Sequence, residues 1–304
     1  MSLTVSHQLP VVPSGASEPL SPLEVSTGYW LSVWKRLRRD RVAMACAALL
    51  MVLVLAAVFA PWVAPADPFK TSMLRRLLPV GSAGYWLGTD ELGRDLLSRL
   101  IYGGRLSLVM GIVPVVLAFV IGTSIGVTAG FLGGKVNMSV MRTLDVFYAF
   151  PSVLLAVAIS GAMGPGMSNS LMALTIVFIP QIARVAESVT TQVAKLDYID
   201  AARMSGASAL TIIRVQVLGN VLGPVFVYAT GLISVCMILA SGLSFLGLGV
   251  RPPEAEWGLM LNTLRSAIFN NPVVAALPGA MIFVTSICFN LLADGIRSAM
   301  DLKR

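Results

Sequence analysis

Residues 106–131 read LSLVMGIVPVVLAFVIGTSIGVTAGF and carry no charged side chain. The hydrocarbon core of a bilayer is about 30 Å thick, and a helix needs about 20 mostly apolar residues to cross it. This run meets that requirement. Other apolar runs lie at about 42–64, 144–163, 170–187, 221–249 and 273–293. The sequence therefore predicts an all-α, polytopic membrane protein with about six transmembrane helices.

The composition supports this prediction. Hydrophobic residues make up 56% of the 304-residue chain and charged residues 12%, whereas soluble domains average about 25% charged residues. A large soluble α/β enzyme is the alternative, but the length of the apolar runs argues against it. The single histidine, His7, makes histidine catalysis or metal ligation unexpected. The cysteines lie in apolar runs without CxxC spacing, which predicts neither a disulfide framework nor a metal site, and they are Cys46, Cys236 and Cys288.

The N-terminal region combines a polar tail with a basic cluster. Residues 1–28 are rich in Ser and Pro, which predicts a disordered tail. Five Lys and Arg residues within 35–41 directly precede the first apolar run. A cleaved secretory signal is the alternative, but its core would span only about 7–15 residues. Because cations accumulate in cytoplasmic segments, we predict an uncleaved first span and cytoplasmic N- and C-termini, and we interpret the net charge of +7 through topology rather than nucleic-acid binding.

The apolar runs and the segments between them divide the chain into four parts. We predict a disordered tail at 1–28 and a cytoplasmic C-terminal tail at 296–304. Residues 29–105 are expected to hold the first transmembrane helix, an outside loop and an amphipathic helix. Residues 106–295 are expected to form the membrane core.

Residues 196–208, LDYIDAARMSGAS, lie between the fourth and fifth predicted spans. Asp197 can cap a helix whose first turn contains Asp200, since carboxylates suit the positive end of a helix. Gly206 is a natural helix stop, and Ser208 can cap a second helix. The segment predicts a compact helix–Gly–helix elbow outside the membrane, with small residues that would let another protein approach closely. An ordinary loop between helices is the alternative.

Residues 86–100, WLGTDELGRDLLSRL, precede the second predicted span. Asp95 and Arg99 are four residues apart and are expected to pair on one face of a helix. The opposite face would be apolar, formed by Leu92, Leu96, Leu97, Leu100 and Ile101. This pattern predicts an amphipathic helix in the membrane interface that leads into span two.

Both segments resemble motifs of one transporter family. The order Asp200-Ala201-Ala202, then Gly206, resembles the EAA loop of ABC-importer permeases, although Asp replaces the usual Glu and Gly219 stands where Pro is usual. The second segment resembles the GTDxxGRDxxSR block of the C-type subunits of dipeptide, oligopeptide and nickel permeases. By this resemblance the coupling-loop positions are Asp200, Ala201, Ala202, Gly206, Ala207 and Ser208. The positions of the block before span two are Gly88, Thr89, Asp90, Gly93, Arg94 and Asp95.

The resemblance implies a type I ABC importer permease fold and half of a translocation path for dipeptides or oligopeptides in a bacterial plasma (inner) membrane. It implies a homologous B-type permease, two ATP-binding subunits or one fused pair, and an extracytoplasmic substrate-binding protein as partners, with lipid around the chain. No nucleic acid is expected. The sequence lacks a GxxxxGK[ST] phosphate loop, so a non-catalytic chain is expected, with ATP and Mg²⁺ on partner subunits and no cofactor of its own. A nickel or other small-solute permease, an ion-coupled secondary transporter and a membrane-anchored enzyme are the alternatives.

Three smaller features carry expectations of their own. Gly122, Gly126 and Gly130 repeat every four residues and predict close helix packing. The loop at 252–258 would lie near the docked binding protein by resemblance, and a capping loop with an interfacial Trp257 is the alternative. A local pair between Glu187 and Arg184 is expected from their spacing.

Overall fold

The computed structural model describes residues 29–300. The predicted tail at 1–28 lies outside these residues, as do positions 301–304 of the predicted C-terminal tail. The described residues form helices without strands, joined by irregular segments of which residues 64–95 form the longest. The helices are α1 (Tyr29–Leu37), α2 (Arg41–Val58), α3 (Ala60–Val63), α4 (Leu96–Leu132), α5 (Gly134–Tyr148), α6 (Ser152–Met163), α7 (Met167–Val193), α8 (Asp197–Met204), α9 (Ala209–Ile212), α10 (Leu218–Phe245), α11 (Trp257–Thr263) and α12 (Pro272–Met300).

Five segments of the described chain are long and apolar enough to cross a membrane, and they are Arg41–Val58, Leu96–Leu132, Met167–Val193, Ala209–Phe245 and Pro272–Met300. Helices α5 and α6 meet at an angle of 87° and give a sixth span if they are counted as one. The break falls before Pro151, which lacks an amide N–H and disfavours helical backbone in the residue that precedes it. The prediction of an all-α protein with about six spans is therefore confirmed.

The core is built around the contact between α4 and α7. A Cβ atom added to Gly122 would lie 2.9 Å from the Ile179 carbonyl oxygen, and one added to Gly130 would lie 2.8 Å from that of Glu187. Gly126 has the Ala183 carbonyl oxygen closer still. Side chains at these positions would push the two helices apart, so the predicted small-residue packing face is confirmed.

The two ends of the bundle differ in architecture. One end carries residues 64–95 and 246–271, which we call the loop face. The other end carries residues 194–217, which we call the elbow face. Helix α1 lies at the elbow face, because a Cβ atom on Gly295 of α12 would contact Ala43 and lie 3.5 Å from Leu37.

The segment before span two differs from its prediction. Residues 88–95 form turns, and α4 begins at Leu96 and runs without interruption into the membrane span, so no separate amphipathic helix exists there. Gly88 (φ +79°) and Gly93 (φ +73°) adopt left-handed backbone, which is incompatible with a continuous right-handed helix through this segment. Asp95 caps α4 by accepting the Ser98 N–H at 2.7 Å. At the other end of the chain, α12 extends to Met300, inside the predicted tail.

Candidate functional site

The elbow is a short helix with a defined start and stop. Helix α8 begins at Asp197, so Asp197 is its first helical residue and the predicted capping role is wrong. Gly206 (φ +78°) donates its N–H to the Arg203 carbonyl at 3.0 Å, and Ala207 donates to that of Ala202 at 3.2 Å. These two bonds form a Schellman motif, which confirms the predicted glycine stop. Ser208 then caps α9 by accepting the Thr211 N–H at 3.3 Å.

One side of the elbow is buried and the other is open. Ile199 is fully buried in the main core, and Ala202 and Ala207 pack against the same core. The remaining predicted coupling-loop positions, Asp200, Ala201, Gly206 and Ser208, are exposed. The six residues singled out from the sequence therefore divide between an anchoring side and a free surface.

The free surface also carries large apolar side chains that the sequence motif did not identify. Met204 is 90% exposed, and a Cβ atom on the adjacent Gly206 would meet nothing within 4 Å. Further exposed apolar side chains of the elbow are Leu196, Tyr198 and Leu210. Helical position gives the available signal, because Met204 lies five residues after Ile199 and so falls on a different side of α8.

Polar contacts tie the elbow to two spans. Arg203 forms an ion pair with Asp200 at 3.0 Å, and its guanidinium carbon lies 5.3 Å from the centre of the Phe131 ring at the end of α4. The hydroxyl of Tyr198 accepts a hydrogen bond from the Asn220 amide of α10 at 3.1 Å. A displacement of α8 would therefore reach α4 and α10 directly.

The junction between the elbow and the fifth span is a π-helical segment, Ile213–Val217. Such segments contain one extra residue per turn and are frequent at functional sites. Val217 is fully buried within it, and a Cβ atom on Gly219, two residues after its end, would meet nothing within 4 Å. Apolar periodicity alone cannot predict this change of helix type.

The block before span two forms a buried cluster on the loop face. Arg99 is 2% exposed and lies 3.2 Å from the Asp90 carboxylate, so the predicted pair between Arg99 and Asp95 is wrong. Asp90 also contacts Arg94 at 2.6 Å. Arg99 donates further hydrogen bonds to the carbonyl oxygens of Pro68 and Glu254, both at 3.1 Å. One arginine therefore holds together two loops that lie far apart in the sequence.

Other residues of the block complete this cluster. Thr89 accepts the Leu78 N–H at 2.9 Å. A Cβ atom on Gly88 or Gly93 would overlap a backbone carbonyl oxygen, that of Leu78 or Ser72. The six predicted block residues thus converge in one cluster, in which their charges and glycines serve the packing of the loop face.

Hydrogen bonds hold the loop at 252–258 against α4. Glu256 is buried and accepts hydrogen bonds from Gly258 N–H at 2.8 Å and Ser107 hydroxyl at 3.1 Å. Burial raises the pKa of this carboxyl above its ordinary value. Trp257 is also buried, and its indole N–H donates to the Leu100 carbonyl at 2.9 Å. The geometry is that of a capping loop, with its tryptophan inside the protein rather than at the membrane interface. Glu256 caps α11, since its carboxylate accepts the Gly258 and Leu259 N–H groups at the start of that helix.

A cavity of about 320 Å³ lies at the break between α5 and α6, against Pro180 and Gln181 of α7. Arg184 pairs with Asp145 and stacks over the Tyr148 ring at 4.7 Å. The expected pair between Arg184 and Glu187 is therefore wrong. Glu187 instead accepts hydrogen bonds from Asn137 and Thr191.

Two family models match the chain. The model for the binding-protein-dependent transport system inner membrane component matches residues 122–303. The model for the N-terminal TM domain of oligopeptide transport permease C matches residues 28–79. Together they cover both the membrane core and the first span.

Individual proteins agree with these models. The glutathione transport system permease protein GsiD of Pectobacterium atrosepticum is 40% identical over 90% of this chain and 91% of its own length. The di/tripeptide transport system permease protein DppC of Pseudomonas aeruginosa is 41% identical over 89% and 91%. A solved structure of the MetNI methionine ABC transporter in an inward-facing conformation shares the fold, with a TM-score of 0.54 and 20% identity over 66% of this chain and 95% of that chain. The chain therefore belongs to the inner membrane components of binding-protein-dependent transport systems, as a multi-pass, non-catalytic ABC permease subunit that is similar to the C-type oligopeptide permeases.

Proposed function

We propose that this chain forms half of the translocation path of an ATP-driven peptide importer and is coupled to its ATPases through the elbow at 196–218. The observation that carries the proposal is the two-sided elbow, with Ile199 buried in the main hydrophobic core of the protein and Met204 exposed. Peptides are the proposed substrates because the relatives are named for glutathione and for di- and tripeptides.

The exposed surface of the elbow suits docking to another protein. Its small residues Ala201 and Gly206 let a partner backbone approach, and Met204 offers an adaptable apolar side chain for a pocket. Contacts from Arg203 to Phe131 and from Tyr198 to Asn220 would carry a displacement of α8 into the spans. ATP and Mg²⁺ would bind to the partner subunits, either two chains or one fused pair.

The second half of the path would come from a homologous B-type permease. Helix α6 exposes Val153 and Leu154 beside the cavity at the α5–α6 break. An apolar face next to a cavity suits a partner subunit that closes the path. A nickel or other small-solute permease would use the same arrangement, and the substrate assay below distinguishes it.

The proposed orientation places the elbow face and both termini in the cytoplasm of a bacterial cell. Lys35, Arg38 and Arg39 lie in or next to α1, which packs at the elbow face, and such cations accumulate on the cytoplasmic side. The loop face would then be extracytoplasmic and would receive the substrate-binding protein.

The test compares two glycines with the same backbone and the same open surroundings at opposite ends of the molecule. Gly206 (φ +78°) and Gly81 (φ +84°) both have nothing within 4 Å of an added Cβ atom. Gly206→Arg and Gly81→Arg therefore impose similar strain, and only the first places bulk on the proposed docking surface. We expect an ATPase to co-purify with the wild type and with Gly81→Arg, and to be lost from Gly206→Arg.

ATP hydrolysis stimulated by peptide and binding protein in vesicles gives the functional readout. Stimulation by a dipeptide is expected for the wild type and is expected to be lost with Gly206→Arg. Retention of the ATPase by Gly206→Arg, or uptake driven by an ion gradient without ATP, would contradict the proposed coupling. Stimulation by nickel complexes but not by peptides would contradict the proposed substrate.

A further inference from the structure

Arg105 marks the boundary between polar and apolar surface on the loop-face side of α4. The apolar run 106–131 begins directly after it. Its guanidinium donates hydrogen bonds to the carbonyl oxygens of Ala57 and Val58 at the end of α2, at 2.6 and 2.7 Å. A guanidinium has five N–H donors, so these two bonds leave others available at the border of the membrane.

An apolar groove runs from Arg105 along the membrane-facing junction of α2 and α4. It has a volume of about 430 Å³, and aliphatic side chains line it, among them Val54, Leu108, Val109 and Ile112. Val109 is 37% exposed within it. A groove of this kind between two spans is matched by a lipid acyl chain, which is apolar and conformationally adaptable.

A second cavity, of about 300 Å³, lies on the other side of Arg105. Tyr102 and Glu254 line it together with Arg105. The Glu254 side chain is exposed and makes no ion pair or hydrogen bond within residues 29–300. A cation and a carboxylate therefore line the same cavity without a direct bond between them, and the Glu254 carboxylate also acts on the buried Arg99 through its charge.

We infer that α2, α4 and the loop at 252–256 form a binding site for an aminophospholipid with a primary ammonium, such as phosphatidylethanolamine. The phosphate would accept hydrogen bonds from Arg105, the ammonium two carbons away would donate to Glu254, and one acyl chain would lie in the groove. Arginine and phosphate form strong charge-assisted hydrogen bonds. Phosphatidylcholine has no N–H donor for Glu254, and phosphatidylglycerol has no cation. The site goes beyond the transport function and does not depend on ATPase docking.

The test uses the purified transporter complex in nanodiscs that contain equal amounts of phosphatidylethanolamine and phosphatidylcholine. Lipids that remain bound after detergent washing are counted by native mass spectrometry. We expect phosphatidylethanolamine to be enriched about tenfold on the wild type, which corresponds to about 1.4 kcal/mol. Glu254→Gln is expected to abolish the enrichment, and Arg105→Gln to lower the retention of both lipids.

Control variants separate the site from general effects of charge and folding. Val109→Trp fills the groove while both charged groups stay in place, and it is expected to remove the bound lipid. Lys70→Gln and Asp294→Asn change exposed charges outside the two cavities, and they are expected to leave the enrichment intact. All variants are compared only as monodisperse complexes.

Three results would overturn the inference. Equal retention of the two lipids by the wild type would contradict recognition of the ammonium. An unchanged preference in Glu254→Gln would contradict the role of that carboxylate. Cross-linking of Val109→Cys to the second permease subunit would show that protein, rather than lipid, fills the groove.

Discussion

The loop face and the elbow face each carry one of the two sequence motifs that resemble the transporter family. The two motifs differ in whether their side chains are buried or exposed. On the loop face the motif buries Asp90, Arg94 and Asp95: Asp90 is 1% exposed, and it contacts Arg94 and Arg99. On the elbow face the motif leaves Met204 90% exposed. The polar residues of the loop face bond within the chain and specify its packing, whereas the exposed apolar and small residues of the elbow form the surface that we propose as the docking site for another protein. The role of a motif therefore depends on whether its side chains are buried or exposed in the fold, and not only on its sequence.

The largest loss of stability is expected when Arg99, which joins the two loops of the loop face, is removed. Arg99→Ala would leave Asp90 with one buried partner fewer and would free the carbonyl oxygens of Pro68 and Glu254. Loss of one member of a buried ion pair costs about 3–5 kcal/mol. We expect a large drop in the thermal stability of the purified protein, measured by intrinsic fluorescence. Arg75→Ala, at an exposed arginine of the same loop, should change little, and equal stability of the two variants would refute the account.

The elbow face should respond differently on its two sides. Ile199→Ala removes a fully buried side chain and is expected to cost about 2–4 kcal/mol. Met204→Ala removes an exposed one and should leave stability unchanged while weakening the association with the ATPase. Thermal unfolding and co-purification, measured on both variants, separate the two effects. A stability loss in Met204→Ala as large as that in Ile199→Ala would contradict the two-sided description.

Two glycines with similar backbone conformation, one on each face, allow the tightness of packing to be compared between the two faces. Gly93 (φ +73°) and Gly206 (φ +78°) have the same left-handed conformation, but an added Cβ atom overlaps Ser72 at Gly93 and meets open space at Gly206. Both alanine variants carry the strain of left-handed backbone, about 1–2 kcal/mol. Gly93→Ala should cost about 1–3 kcal/mol more because of the overlap. Equal unfolding temperatures of the two alanine variants would show that the loop face shifts to accommodate the added Cβ atom without a cost in stability.

The smallest expected effect is a pH dependence at Glu256. Its raised pKa means that the folded protein holds this proton at a pH where the unfolded chain has released it. Stability from this group is therefore greatest at low pH and is lost as the pH rises from the ordinary carboxyl range through the raised pKa, by about 1.4 kcal/mol for each pH unit that separates the folded and unfolded pKa values. Glu256→Gln should flatten this part of the stability profile above the ordinary carboxyl range, whereas Glu254→Gln, at an exposed neighbour, should leave it. An unchanged slope in Glu256→Gln would contradict the assignment.

Much of the fold could be predicted from the sequence because the length of an apolar run shows directly whether the segment can cross a membrane. The small-residue face at Gly122, Gly126 and Gly130 was likewise predictable, since its spacing matches the helix repeat. The start of α4 at Leu96 was not, because Arg99 and Arg105 make the first turns of the helix look polar. The hydrogen-bond partners of Arg99 lie in distant loops and those of Arg105 lie at the end of α2, and a hydropathy profile contains no information about such contacts.

The two candidate sites were predictable to different degrees. The glycine stop at Gly206 and the cap at Ser208 depend on local backbone chemistry, so the sequence sufficed. The convergence of Asp90 and Arg99 with the Glu254 carbonyl depends on contacts between remote segments. The exposure of Met204 likewise depends on how α8 packs, and a motif pattern does not include it.

The most direct test of the central claim places a photo-crosslinking amino acid at position 204 and irradiates the intact transporter in membranes. The same probe at Trp86, an exposed apolar residue of the loop face, serves as the comparison. The account predicts a cross-link from position 204 to the ATPase subunit, with a yield that changes when ATP is added, and no such product from position 86. A cross-link from position 204 to lipid alone, or ATPase cross-links of equal yield from both positions, would contradict the claim that the elbow is the coupling surface.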